Sequence, residues 1–331
     1  MIWRCRSFGA PSWCRVAVMS SSSASLGLGL DPGAGISAAR ALSPGGSLLR
    51  LSDVQGYEQH RLNDVLLLRP EAQETRTARS NNAHVVFFPG DIQNFHQEMA
   101  VQPDASPWIS FSLERVALTL GVRFPGRHVW LVRPSRLHLH KFSCYVNFVS
   151  CDMFGAPQHS PDYGAWRHLR ALLGHAMERA AIAEPLPPLG GALVPAPLPA
   201  GFSLILVAFS KGCVVLNQMV HELASSRTDP ELMEFLECVS DMYWLDGGHP
   251  GTGDTWVTDK QALAELASSG VAVHAHVTPY EVCDPARAWV GREHRCFVKT
   301  LEQLGARITK KLHFKDEPAC IANHFRVIEE F

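Results

Sequence analysis

The chain has no Cys-x-x-Cys pair, no zinc-finger spacing, and no apolar run near the roughly 20 residues that span a bilayer. Its cysteines are Cys5, Cys14, Cys144, Cys151, Cys213, Cys238, Cys283, Cys296 and Cys320. An odd, unpatterned set argues against a disulfide framework and for free thiols in a reducing compartment. Basic charge is not in excess either: 30 Lys and Arg face 32 Asp and Glu, for a net charge of -2. That leaves no electrostatic footprint for nucleic acid, and the lack of a long apolar run predicts no transmembrane segment. Acidic residues are missing from the N-terminus until Asp31, whereas Arg4, Arg6 and Arg15 lie there among serines, with Arg40 and Arg50 following. Basic, serine-rich and acid-poor is the composition of a mitochondrial presequence, and Val16–Met19 is too short for a secretory core. Residues 1–50 are therefore expected to be a targeting or disordered region, followed by one domain over 57–331.

What the chain does have is a strand-turn-helix signature. The apolar run Ser203–Phe209 stops at Ser210-Lys211-Gly212, and helix-period apolar residues start at Cys213. Small-x-Ser-x-Gly in that context is the layout of a nucleophile elbow, whose sharp turn lifts the serine hydroxyl to the sheet edge. Ala208 stands where the first glycine of the pattern belongs. The plainer alternative is a strand, turn and helix without chemistry.

Alternating signals run on both sides of the elbow. Strands are expected at 65–68, 84–88, 128–132, 203–209, 242–245, 271–277 and 308–314. Helices are expected from Leu113 to a stop at Gly121, from Trp166 to Met177, over 230–239, after a Thr258/Gln261 capping box, and from Asp284-Pro285 toward Leu304. A Pro/Gly-rich loop fills 184–201. This alternation predicts an α/β fold: a doubly wound, mostly parallel sheet with helices on both faces. Ligands of such sheets bind beyond the strands' carboxyl ends, where Asp91, Ser210, Asp246, Asp284 and His324 all fall.

A serine needs a base, and the base needs an orienting acid. Ser210, Asp284 and His324 occur in the chain order Ser, acid, His of α/β-hydrolases. Asp246, one strand earlier, is the alternative acid. Asp284 before Pro285 is equally an ordinary helix cap. The turn containing Gly90 and Asp91 is a candidate oxyanion loop, acting with the Lys211 N–H, while the Lys211 side chain is expected in solvent. Two His-x-His pairs, His138/His140 and His274/His276, lack the further ligands a zinc site needs, so no metal or organic cofactor is expected. Phe142, Tyr145, Phe148 and Phe154 are candidates either to roof an acyl pocket or to pack in the core, and Cys213 is expected in the core.

Several stretches resemble a single family: His138–Tyr145, Met153–Pro157, Phe209–Gln218, Tyr243–His249, Val277–Tyr280 and Asn323–Val327. It is the vertebrate mitochondrial family whose human member carries only an open-reading-frame designation on chromosome 2. The resemblance covers residues 84–331. It implies an α/β-hydrolase-like fold, a place in the mitochondrial matrix and a role in respiratory and energy metabolism. Ser210 is the position at which the family's serine is proposed; the resemblance names no substrate. The combined expectation is a serine hydrolase acting on a small ester or thioester, or else an inactive hydrolase-shaped protein that binds a matrix partner.

Overall fold

In the computed structural model, residues 47–70, 82–190 and 196–331 are described. The expected targeting segment lies outside them apart from its last residues, as does part of the Pro/Gly-rich loop. Twelve strands are present among the described residues: β1 (Leu48–Gln55), β2 (Leu62–Leu68), β3 (Ala83–Phe88), β4 (His128–Val132), β5 (Arg136–His138), β6 (Phe142–Cys144), β7 (Ser150–Cys151), β8 (Pro157–Gln158), β9 (Ser203–Phe209), β10 (Val239–Leu245), β11 (Ala272–Val277) and β12 (Ile308–Leu312). Eight of them form one sheet in the order β1-β2-β4-β3-β9-β10-β11-β12. β1, β2 and β4 pair antiparallel; every pairing from β4 through β12 is parallel. A parallel sheet whose order reverses at β4-β3, with an antiparallel edge, is an α/β-hydrolase-like arrangement. It follows from strands buried on both faces and joined by helical crossovers.

The elbow strand β9 displays that double burial. Leu204, Leu206 and Ala208 enter one apolar core, while Ile205, Val207 and Phe209 enter the other. The first core is covered by the helices Ala165–Arg179, Cys213–His221, Lys260–Ser268 and Ala288–Gln303, the second by Leu113–Arg123 and Ile321–Glu330. Period-2 alternation thus sends successive side chains of one strand to opposite layers.

Some expected boundaries differ. β1 begins at Leu48, so the folded region starts before residue 50. Its neighbours Gly45 to Ser47 and the Leu/Arg alternation hid it inside a low-complexity tail. The helix from Leu113 runs through Gly121 to Arg123, and Gly121 is where it packs closely on β2, since a Cβ there would lie 2.6 Å from Leu68 Cδ2. The expected helix over 230–239 is only Met233–Glu237, since β10 already starts at Val239. The cap of the helix Lys260–Ser268 is Asp259, whose side chain accepts from the Ala262 N–H, not Thr258. β12 ends at Leu312. Among the described residues no helix is long and apolar enough to cross a membrane.

Candidate active site

Ser210 follows β9 directly and has φ = 51°, a left-handed conformation that a non-glycine residue adopts at a cost of about 1–3 kcal/mol. The turn closes because its neighbours have no side chain. A Cβ on Gly212 would lie 2.1 Å from the Phe88 carbonyl oxygen, and one on Gly90 would lie 2.8 Å from the Ser210 Cβ. Gly90 therefore lets the β3 turn run against the serine. At the departure from the pattern, Ala208 packs its methyl into the core with no exposure.

Of the two candidate acids, the structure brings Asp246 and not Asp284 to the histidine. Asp284 caps a short turn: its side chain accepts from the Ala286 N–H at 2.8 Å and from Arg287 Nε at 2.9 Å. An aspartate before Pro285 is captured by its own loop, as the capping alternative requires. Asp246, at the end of β10, takes the contact to the histidine instead, with 2.7 Å between Asp246 Oδ2 and His324 Nδ1. The Thr278 N–H donates to Asp246 Oδ1 at 2.7 Å, and the Thr278 hydroxyl donates to Oδ2 at 2.6 Å. The Asp246 N–H in turn donates to the His276 carbonyl, tying the residue to the end of β11. An ionised carboxylate only accepts, so His324 must place its proton on Nδ1 and leave Nε2 as a base. His324 comes from the C-terminal helix Ile321–Glu330. Its ring lies 4.6 Å from that of Phe209, the residue before the serine, and 5.0 Å from that of Tyr280. Among the described residues no hydrogen bond joins Ser210 to His324.

The oxyanion side is built differently. The Gly90 N–H already donates to Gln93 Oε1 at 2.8 Å, leaving the N–H groups of Asp91 and Lys211 as the donors in question. Lys211 does not point to solvent: it is 1% exposed. Its Nζ donates to the Phe154 carbonyl at 2.7 Å and sits 3.3 Å from Asp91 Oδ1. A buried ammonium needs such partners, and the carbonyl of residue 154 supplies one because Gly155, at φ = 80°, turns the chain there. Asp91 Oδ1 also accepts from the Ser143 N–H at 2.7 Å, the Ser143 hydroxyl donates to the Gly90 carbonyl at 2.8 Å, and the Tyr145 hydroxyl donates to the Pro89 carbonyl at 2.6 Å. Residues 143–145 thus strap the turn at 89–91, the candidate oxyanion loop.

Of the aromatic candidates, Phe148 and Tyr145 are buried against Phe88, whereas Phe142 and Phe154 pack edge-on at 5.4 Å. The first two are core residues. Cys213 is also buried. Three of the four paired histidines are otherwise engaged: His274 Nε2 meets Asp241 Oδ1 at 2.9 Å, His276 Nδ1 meets His313 Nε2 at 2.8 Å, and the His138 ring packs on Phe154. No cluster able to hold a metal ion occurs among the described residues.

Sequence reasoning missed two features beside the histidine. Thr278 holds Asp246, the candidate acid; its only sequence signal is a hydroxyl residue before proline at a strand end. Glu281 is buried against Gly248, where a Cβ would come within 2.5 Å of its carboxylate, and it receives Arg287 Nη1 at 2.8 Å. Burial raises the Glu281 carboxyl above its ordinary range, against the pull of Arg287 and His324.

The family model C2orf69 matches residues 50–186 and 192–307. A Danio rerio protein named mitochondrial protein C2orf69 homolog is 69% identical over 291 residues, covering 86% of this chain and 85% of its own length. The Homo sapiens mitochondrial protein C2orf69 is 38% identical, covering 92% of this chain and 95% of its own. Among solved structures, a fungal esterase from Rhizomucor miehei is similar at 11% identity and a TM-score of 0.43, over 88% of this chain and 82% of that one. A ferulic acid esterase is similar at 8% identity and a TM-score of 0.43, over 86% and 96%. On the family model and these relatives, the chain belongs to the C2orf69 family of mitochondrial proteins.

Proposed function

We propose that the protein is a serine hydrolase of the mitochondrial matrix that cleaves a small ester or thioester and serves respiratory and energy metabolism. The observation that carries the reading is the 2.7 Å bond between Asp246 and His324 at the strand ends that also present the Ser210 elbow. In the proposed reaction, Ser210 Oγ attacks the acyl carbon while His324 Nε2 accepts its proton. Asp246 fixes the imidazole tautomer and stabilises the imidazolium. The N–H groups of Lys211 and Asp91 receive the negative oxygen of the tetrahedral intermediate. The imidazolium then protonates the leaving alcohol or thiol, and a water activated by the same histidine releases the acid. No step calls on a metal or organic cofactor. The missing serine–histidine hydrogen bond is consistent with a free enzyme, where such bonds are long and tighten with substrate.

A second reading is a hydrolase-shaped protein that binds a matrix partner without turnover. The unmade Ser210–His324 bond and the Gly90 amide spent on Gln93 favour it. A fluorophosphonate probe separates the two. Labelling of the folded protein that disappears in Ser210→Ala supports the hydrolase; labelling that persists in that variant removes Ser210 as nucleophile. A folded protein that never reacts, and turns over no member of a broad acyl-ester and acyl-thioester panel, leaves the binding reading.

A further inference from the structure

Away from the candidate active site, Arg170 carries a buried charge that no acid meets at ion-pair distance among the described residues. It belongs to the helix Ala165–Arg179 and is 2% exposed. Its Nη2 donates to the Pro187 carbonyl at 2.7 Å. Its Nε and Nη1 are buried and have no hydrogen-bond partner among the described residues. Asp229 and Glu231 are held instead by Arg167, one turn earlier on the same helix. The Arg170 guanidinium carbon lies 5.8 Å from the centre of the Phe235 ring, at the far end of the cation–π range. Lys211, buried as deeply, has both the Phe154 carbonyl and the Asp91 carboxylate.

Taking an ionised group out of water is costly unless an opposite charge or a full set of hydrogen bonds replaces the solvent. Burial draws the Arg170 pKa down to about 10, which still leaves the side chain charged at neutral pH. The same arginine lines a cavity of about 250 Å³. Pro187, Pro188, Leu198 and Pro230 give the cavity apolar walls. Glu231 and Glu234 also line it, and Glu234 is exposed, so the cavity reaches solvent. Glu231 accepts from Arg167 and from the Gly190 N–H, and Glu234 accepts from the Leu198 N–H. Phe235 packs 6.0 Å from Phe202, the residue before β9. The length of β9, roughly 20 Å for its residues 203–209, thus separates this region from Ser210.

The lining dictates what fits. A guanidinium with unused donors calls for an anion, and a planar carboxylate matches its fork. Two resident glutamates disfavour a second negative charge, which favours a monoanion over a phosphate dianion. Proline and leucine walls favour an apolar body. At a water's share of about 30 Å³, the cavity has room for about eight waters, or for an acid the size of benzoate. We propose that Arg170 anchors a second ligand site, which takes a small monocarboxylate with an apolar body at the end of the sheet away from Ser210. The carboxylate supplies the opposite charge that the fold withholds, and the hydrocarbon lies on the proline walls. The site does not depend on Ser210 being a nucleophile.

The test is a calorimetric titration of the full chain with sodium benzoate, set against benzamide and inorganic phosphate. The expected result is saturable binding of benzoate at one site, with a Kd at or below about 1 mM. Benzamide and phosphate are expected to bind about tenfold more weakly or not at all. Arg170→Met keeps an apolar stem and deletes the charge. It is expected to lose benzoate affinity by about tenfold or more while its melting midpoint without ligand stays within about 3 °C of the wild type. Glu234→Gln removes a negative charge from the cavity and is expected to tighten benzoate by about threefold. The proposal is overturned if benzoate does not bind the wild type, if benzamide or phosphate binds as well, or if folded Arg170→Met binds benzoate as the wild type does. Unchanged benzoate affinity in Glu234→Gln overturns it equally, and that variant and the wild-type panel decide the matter should Arg170→Met not fold.

Discussion

The two sides of the candidate site are held by different kinds of bond. On the acid side, three elements converge on one carboxylate: β10 supplies Asp246, the turn after β11 supplies Thr278, and the C-terminal helix supplies His324. Asp246 is fully buried, and each of its oxygens has a partner within 2.7 Å. On the other side, the turn at 89–91 is positioned by residues 143, 145 and 211: the Ser143 and Tyr145 hydroxyls donate to its carbonyls, the Ser143 N–H donates to the Asp91 carboxylate, and the buried Lys211 ammonium bridges Asp91 and the Phe154 carbonyl. A charge-assisted cluster fixes one geometry and tolerates no deletion. The strap at 143–145 spreads its bonds over several backbone groups, with one ion pair, Lys211–Asp91, at its centre. On the proposed reading, the Asp246–His324 pair is expected to be the rigid half of the candidate site and the turn at 89–91 the adjustable half.

The sharpest way to break that comparison is Asp246→Asn. Asparagine keeps the size but offers an amide where His324 Nδ1–H needs an acceptor, and favours the wrong tautomer. Probe labelling and any ester turnover should fall by about 10⁴-fold, as when a triad acid loses its charge. Second-order labelling rates with the fluorophosphonate measure this. A loss under tenfold would remove Asp246 from the orienting role.

How far the sequence discloses this division can be argued residue by residue. The elbow is local: strand, turn and helix are contiguous, and Gly212 must be small because Phe88 O lies against it, so its pattern survives without tertiary information. The parallel sheet is similarly readable, because strands buried on both faces are continuous apolar runs. The acid is not local. Asp246 and Asp284 both follow strands, and only the position of the Thr278 and His324 side chains in space separates them. Asp284 carried a visible cap signal in Pro285, which in the structure accounts for it. Lys211 was misplaced for the same reason: nothing in its neighbours announces that residues 141–155 fold over it. β1 was hidden because Leu48–Leu51 continues a Ser/Gly-rich tail without punctuation.

Acid should act on both halves together. Burial holds His84, His168, His249 and His276 down to about 3, against an ordinary 6.5. Each is neutral in the folded protein, while the unfolded chain takes up a proton below pH 6.5, so the stabilisation is complete above that pH and declines as pH drops toward 3. The slope approaches about 1.4 kcal/mol per pH unit for each such histidine. Urea midpoints at pH 7 and pH 5 should therefore differ by several kcal/mol of stability. His168 lies under the strap, 4.6 Å from the Phe148 ring, and His276 beside the acid. Removing either, as in His168→Gln, should flatten the curve; an unchanged slope would mean that the group is already charged in the fold.

Lys211→Met sharpens the comparison from the oxyanion side. It keeps the backbone N–H and the stem but deletes the bonds to Phe154 and Asp91, leaving the Asp91 carboxylate with the Ser143 N–H. The expected cost is about 2–3 kcal/mol of stability, read by denaturant melts. Labelling at Ser210 should drop far less than in Asp246→Asn, because the strap moves while the acid–base pair stays in place. A loss as large as that of Asp246→Asn would place both halves in one rigid unit.

The smallest effect separates the two aspartates. Asp284→Ala removes a cap and one of the two carboxylates on Arg287, whose other partner, Glu281, remains. Loss of an aspartate cap costs about 1 kcal/mol, and the ion pair adds little to that because Arg287 keeps Glu281 as its partner. Stability should fall by this amount while the rate of Ser210 labelling stays within about twofold, since Asp284 touches neither His324 nor the elbow. The reasoning turns on Arg287: if releasing it from Asp284 lets it draw Glu281 off Gly248, the Asp246–His324 bond would feel the change and labelling would fall with stability. Measuring both quantities in the one variant therefore tests whether the rigid half ends at Thr278 or extends through Glu281 to the loop at 284–287.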